Sequence, residues 1–133
     1  MATAGYSGTP LAKKLGIKPE HRILLIDVPA AYDQMLEMDV SAQLVDSAPA
    51  DFVHIFAVSR ARLAKSFSSL VKTLPSDAAV WISWYKKSAK METDITEDVI
   101  REIVLPLNWV DVKVCAVTDQ WSGLKVVRRV SAR

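Results

Sequence analysis

Few residues in this chain could do proton or metal chemistry. His21 and His54 are its only histidines and Cys115 its only cysteine. Neither histidine has a second ligand at zinc spacing. One thiol can make neither an internal disulfide nor a cysteine-rich metal site. His54 lies inside the apolar run Phe52 to Val58, which fits a hydrogen-bonded core imidazole better than a ligand or base. Cys115 sits in an alternating apolar run, the setting of a buried structural thiol rather than a nucleophile. No Gly-x-Ser-x-Gly elbow, phosphate-binding Gly-Lys-Ser/Thr loop or His-Glu-x-x-His pair occurs. The pattern therefore assigns no catalytic residue and no metal.

Binding chemistry has more material. A dinucleotide or S-adenosylmethionine normally lies against a glycine-bearing turn between the first strand and its helix, where backbone must approach the ligand closely. Here that turn reads Asp27-Val-Pro-Ala-Ala31, without a glycine, and Pro29 removes one amide donor. No cofactor is assigned on that ground. In open α/β sheets ligands bind beyond the carboxyl ends of the strands. Those ends carry Asp27, Ser59 and Trp84-Tyr85-Lys86-Lys87. If the last hairpin starts parallel to the other strands, its tip at Trp121-Ser122-Gly123 rises at the same edge. The candidate ligand-binding residues are thus Asp27, Ser59, Trp84, Lys86, Lys87, Trp121 and Ser122. Packing is the plainer account of the two tryptophans, and a solvated loop that of the lysines. Ser7-Gly8-Thr9 offers amides and hydroxyls to an anion at a helix start, although capping alone explains it.

Short, regular elements must hold these residues. Thr9-Pro10 opens a helix that Gly16 stops. Arg22 to Val28 is a continuous apolar run, as for a strand buried on both faces. Pro29 to about Glu37 reads as helix, Ala42 to Val45 as a short strand, and Phe52 to Val58 as a better one. Ser59 caps the clearest helix, whose apolar stripe is Leu63, Phe67, Leu70, Val71 and Leu74. Ala78 to Tyr85 is the next strand. Asp94-Ile-Thr-Glu97 has capping-box spacing ahead of the stripe Ile95, Val99, Ile100, Ile103 and Val104. Val110 to Thr118 and Leu124 to Val130 form an antiparallel hairpin, because the connection at 119–123 is too short for a parallel crossover.

Alternating strands and helices predict a single three-layer, Rossmann-like α/β domain spanning residues 1–133. Its expected sheet is mostly parallel, with five or six strands, and ends in the hairpin. One link strains this picture. Residues 46–51 are too few to cross between two parallel strands, so the segment 42–45 is short, peripheral or outside the parallel set.

At 133 residues, half of them apolar, the chain can build a core without disulfide or metal staples. Its net charge of +2 gives no whole-molecule pull toward nucleic acid. The distribution is uneven. Between Arg22 and Arg60 stand Asp27, Asp33, Glu37, Asp39, Asp46 and Asp51 with no Lys or Arg; after Leu124 stand Lys125, Arg128, Arg129 and Arg133 with no acid. Two solvated faces of opposite sign account for this, and an anionic partner near the C-terminal end is the alternative. The start, Met1 to Gly8, has no secretory pattern, and no window is apolar enough to cross a membrane. A cytoplasmic protein with no membrane partner is expected.

The segment Tyr6-Ser-Gly-Thr-Pro-Leu-Ala-Lys-Lys-Leu-Gly-Ile17 resembles the start of a bacterial family known only as a domain of unknown function. Ser83-Trp-Tyr-Lys-Lys87, Thr93-Asp-Ile-Thr-Glu97 and Val110 to Val117 with Trp121-Ser-Gly-Leu124 resemble later parts of it. The resemblance implies a small bacterial cytoplasmic protein and supplies no activity. From Asp51 onward the layout is loosely similar to a truncated methyltransferase-like Rossmann fold. Three functions stay open: a small-ligand-binding module without a standard nucleotide loop, a divergent S-adenosylmethionine-dependent methyltransferase-like enzyme, and an interaction module using the basic C-terminal strand.

Overall fold

Strand and helix patterns alternate along the chain, and the structure, a computed structural model, describes residues 10–133. Pro10 leads into α1 (Leu11–Lys14), and Gly16, at φ 82°, supplies the left-handed exit. The Ile17 N–H then returns to the Ala12 carbonyl at 3.0 Å. The capping reading of Thr9, the anion reading of Ser7-Gly8-Thr9 and the Tyr6–Thr9 part of the family resemblance lie outside the described residues.

The remaining elements are β1 (Ile23–Ile26), α2 (Tyr32–Leu36), β2 (Phe52–Phe56), α3 (Arg60–Leu70), β3 (Ala79–Tyr85), α4 (Glu97–Val104), β4 (Trp109–Ala116) and β5 (Trp121–Arg128). The sheet order is β1-β2-β3-β5-β4. β1, β2 and β3 pair in parallel, whereas β5 is antiparallel to both its neighbours. The expected mostly parallel sheet is therefore corrected to a mixed one. The cause lies in the last two strands. β5 is apolar on both faces, burying Trp121, Gly123, Leu124 and Val126, so it belongs inside the sheet. β4 carries Asp111 and Lys113, exposes Val112 and Val114, and has a bulge between Asp111 and Lys113, all features of a managed edge.

Three local readings also change. Ser41–Gln43 is a 3-10 turn, and the segment 42–45 contributes only a single parallel bridge from Leu44 to Ile23. The hairpin turn is tighter than 119–123. The Thr118 hydroxyl accepts from the Gln120 and Trp121 N–H groups, so Trp121, Ser122 and Gly123 already belong to β5. Asp94 is not a capping-box residue of α4. Thr96 caps that helix, accepting from the Val99 N–H at 3.2 Å, while the Asp94 carboxylate accepts from the Arg60 N–H at the start of α3.

Each sheet face carries its own apolar cluster. On one face Leu63, Phe67, Ile100 and Val104 of α3 and α4 cover Val53, Ile55, Val80, Ile82, Leu124 and Val126. On the other, Leu11 of α1 and Leu15 at its C-terminal end, with Tyr32 and Leu36 of α2, cover Phe52, Phe56, Trp81 and Trp121. Trp81 is fully buried and its indole N–H donates to the Leu15 carbonyl at 2.9 Å, fixing α1 on the sheet. Full burial of such large apolar side chains contributes roughly 1.5–3 kcal/mol each.

Candidate functional site

β1, β2 and β3 end at one edge, and the hairpin turn rises beside them because Trp121 pairs with Tyr85. At the β1 end, Asp27 stands at φ 56°, a left-handed conformation that terminates the strand. Its carboxylate accepts two bonds from the Arg62 guanidinium, Nε to Oδ2 at 2.8 Å and Nη2 to Oδ1 at 2.7 Å. The Ser59 hydroxyl accepts from the Arg62 N–H at 3.3 Å as the N-cap of α3. Only about 10 Å³ remains open between Asp27, Ser59 and Arg62, room for one water. The start of α3 is thus occupied by the chain's own groups, with Asp94 on the Arg60 amide and Asp27 on the Arg62 side chain.

The space at this edge lies beside β3 instead. A groove of about 810 Å³ runs from Trp84, Tyr85, Lys86 and Lys87 past Met91 to the first turn of α4. Thr93 shapes it, donating its hydroxyl to the Val58 carbonyl at 2.6 Å and accepting from the Ile95 N–H. Opposite the lysines stand Glu97 and Asp98, both bound by Arg101, which also donates to Asp111 at 3.2 Å. These hydrogen bonds, to Glu97 first and then Asp111, raise the pKa of the guanidinium. No salt bridge among the described residues engages Lys86 or Lys87.

Of the residues singled out from the sequence, the structure brings Trp84, Lys86 and Lys87 into this groove. Asp27 and Ser59 line the narrow crevice between β1 and α3. Trp121 faces the other side of the sheet. It stacks on Tyr85 with ring centroids 3.9 Å apart and meets Phe56 edge-on at 4.8 Å, while Trp84 packs among the α3/α4 cluster. Ser122 pairs with Trp84 across the strands but does not line the groove. From the sequence Glu97 reads as a capping-box residue and, with Asp98, as a first-turn acid rather than a site residue, and Arg101 is not singled out, although their spacing of three and four on a helix is a readable ion-pair signal.

His54 is the hydrogen-bonded core histidine its surroundings imply. It is wholly buried, with Nδ1 2.7 Å from the Tyr32 hydroxyl and Nε2 2.7 Å from Ser83 Oγ. A neutral ring donates to one hydroxyl and accepts from the other whichever tautomer it takes. Burial pushes its pKa down to about 3 and raises that of Tyr32. Cys115 is half-buried rather than buried, and desolvation raises its thiol pKa. Among the described residues no cluster of His, Cys, Asp and Glu could hold a metal ion, and no helix is long and apolar enough to cross a membrane.

This arrangement of strands and helices has solved counterparts. The chain is similar to the M1A22 tRNA methyltransferase TrmK of B. subtilis, at 9% identity and a TM-score of 0.56, over 89% of this chain and 63% of that one. A putative type 11 methyltransferase from Sulfolobus solfataricus matches at 18% identity and 0.54, over 83% and 72%. The O-methyltransferase NcsB1 from neocarzinostatin biosynthesis, in complex with S-adenosylmethionine, matches at 13% and 0.55, over 79% and 41%. The fold is Rossmann-like, of the methyltransferase kind. At these identities the likeness is one of fold, and the chain spans under two thirds of the tRNA enzyme's length. No family model and no curated sequence matches the chain.

Proposed function

We propose that this chain is a divergent methyltransferase-like protein that binds a ligand of the S-adenosylmethionine class in the groove beside β3. The observation that carries the reading is an open groove of about 810 Å³ at the carboxyl edge of the sheet, holding apolar surface and charges of both signs. Such edges are where open α/β sheets take their ligands, and 300–1,000 Å³ is roughly the range of small-molecule sites. The chemistry is complementary part by part. Lys86 and Lys87, in no salt bridge among the described residues, suit an amino-acid carboxylate; Glu97 and Asp98 suit a sulfonium cation; Trp84 and Met91 offer apolar surface to a base. The fold neighbours support this ligand class over an unspecified binding module.

The glycine-free Asp27–Ala31 turn and the Asp27–Arg62 clamp favour a second reading, in which the same groove takes a different small anion and no methyl transfer occurs. Thermal-shift titration separates the two. S-adenosylmethionine or S-adenosylhomocysteine at 100 times its dissociation constant adds about 2.7 kcal/mol to stability. Lys86→Ala with Lys87→Ala should weaken that shift. No shift with either compound removes the first reading; a shift that survives both lysine substitutions moves the site away from the groove.

A further inference from the structure

In doubly wound sheets the first strand is central, with further strands on its outer side. Here β1 is an edge. Parallel ladders alternate, so residues facing β2 are flanked by residues facing outward. The Arg22 carbonyl accepts from the Phe52 N–H, which places Leu24 and Ile26 toward β2 and Ile23 and Leu25 outward. The Ile23 carbonyl is taken by the Val45 N–H at 2.9 Å, whereas no backbone partner engages Leu25 on that side among the described residues.

Beside Leu25 lies a groove of about 470 Å³, separate from the one at β3. Its floor is apolar, formed by Leu25, Val28, Tyr32, Val40 and Leu44, and Leu44 is 45% exposed. Its rim carries Asp33 and Asp39, and among the described residues no Lys or Arg lines it. The stretch from 25 to 44 that builds it holds Asp27, Asp33, Glu37 and Asp39 and neither Lys nor Arg. An open backbone pair, an apolar floor and a rim of one sign coincide on one short stretch.

We propose that the outer edge of β1 is a docking site for an extended basic peptide segment of a partner protein. It adds as a short strand at Leu25, inserts an apolar side chain over Leu44 and sets Lys or Arg against Asp33 and Asp39. Main-chain bonds give such strand addition its affinity and alternate side chains its specificity. Self-pairing of two β1 edges brings two acidic rims together, so a second copy in that arrangement is disfavoured by like charge.

The test uses the full chain and a fluorescein-labelled synthetic peptide alternating Val with Lys and Arg, followed by fluorescence anisotropy. Saturable binding is expected, with none for the same peptide carrying Glu at the basic positions. Hydrogen exchange at the Leu25 amide should slow when the basic peptide is present. Asp33→Lys, an exposed position, should weaken binding about fivefold. Absent binding, equal binding of the acidic peptide, or binding that leaves Leu25 exchange unchanged overturns the proposal. So does a protein that doubles its mass with concentration and protects Leu25 without any peptide, because a second copy is then the occupant.

Discussion

Gly123 shows how much one missing methyl group decides. It stands in β5 opposite Ser83 on one side and Cys115 on the other. A Cβ built there would lie 2.9 Å from Val117 Cγ2 and 3.2 Å from Trp81 Cε3. Trp81 cannot retreat, since its ring is fully buried and its indole is bonded to Leu15. Gly123→Ala should therefore destabilise the fold by roughly 1–3 kcal/mol, the usual range for overpacking. Urea denaturation checks this, and an unchanged midpoint would show that Val117 yields freely. The Trp-Ser-Gly signature was legible as a distinctive piece of sequence. Its reason was not, because glycine there answers to a tryptophan forty residues away.

Elements built from local contacts were the easiest to read. The Ser59 cap, the Gly16 stop and the stripe Leu63, Phe67, Leu70 follow from residues within a few positions of one another. The start of α4 was misplaced because two acceptors compete nearby, and tertiary structure gives Asp94 to α3 and leaves Thr96 for α4. Thr96→Ala removes that cap and should cost about 1 kcal/mol. Thermal unfolding of the variant measures it, and a neutral result would mean that Glu97 and Asp98, already in the first turn, suffice for the helix dipole. Strand register was the least legible feature of the candidate site. Trp84 and Tyr85 point to opposite faces, so a shift of one residue would have put Trp84 beside Trp121. Nothing local distinguishes the two registers; the burial demands of both sheet faces do.

Among the described residues, His54 is the core group whose protonation changes below neutral pH. The unfolded chain binds a proton at His54 near the ordinary imidazole value of about 6.5, whereas the native chain refuses it until about 3. The folded pKa is depressed, so the unfolded state holds more protons between these values and stability falls as pH drops through that window. The slope approaches about 1.4 kcal/mol per pH unit at its steepest. Urea unfolding at pH 7 and pH 5 should show the loss, above the range where carboxylates begin to protonate. A His54→Gln variant that keeps the same slope would place the titration elsewhere.

The strand order has a consequence for synthesis. Translation delivers β1, β2, α3 and β3 first, and these can begin to pair as they leave the ribosome. The outer side of β3 then waits, because its partner is β5, the last strand in the chain, and β4 reaches the sheet only through β5. Until residue 128 has emerged, the nascent protein holds Val80, Ile82 and Trp84 on one face of an open strand and Trp81 on the other. A strand whose Val80, Trp81 and Ile82 end wholly buried thus keeps one side open until the last strand arrives, and the interval between β3 and β5 gives a chaperone an apolar strand to bind.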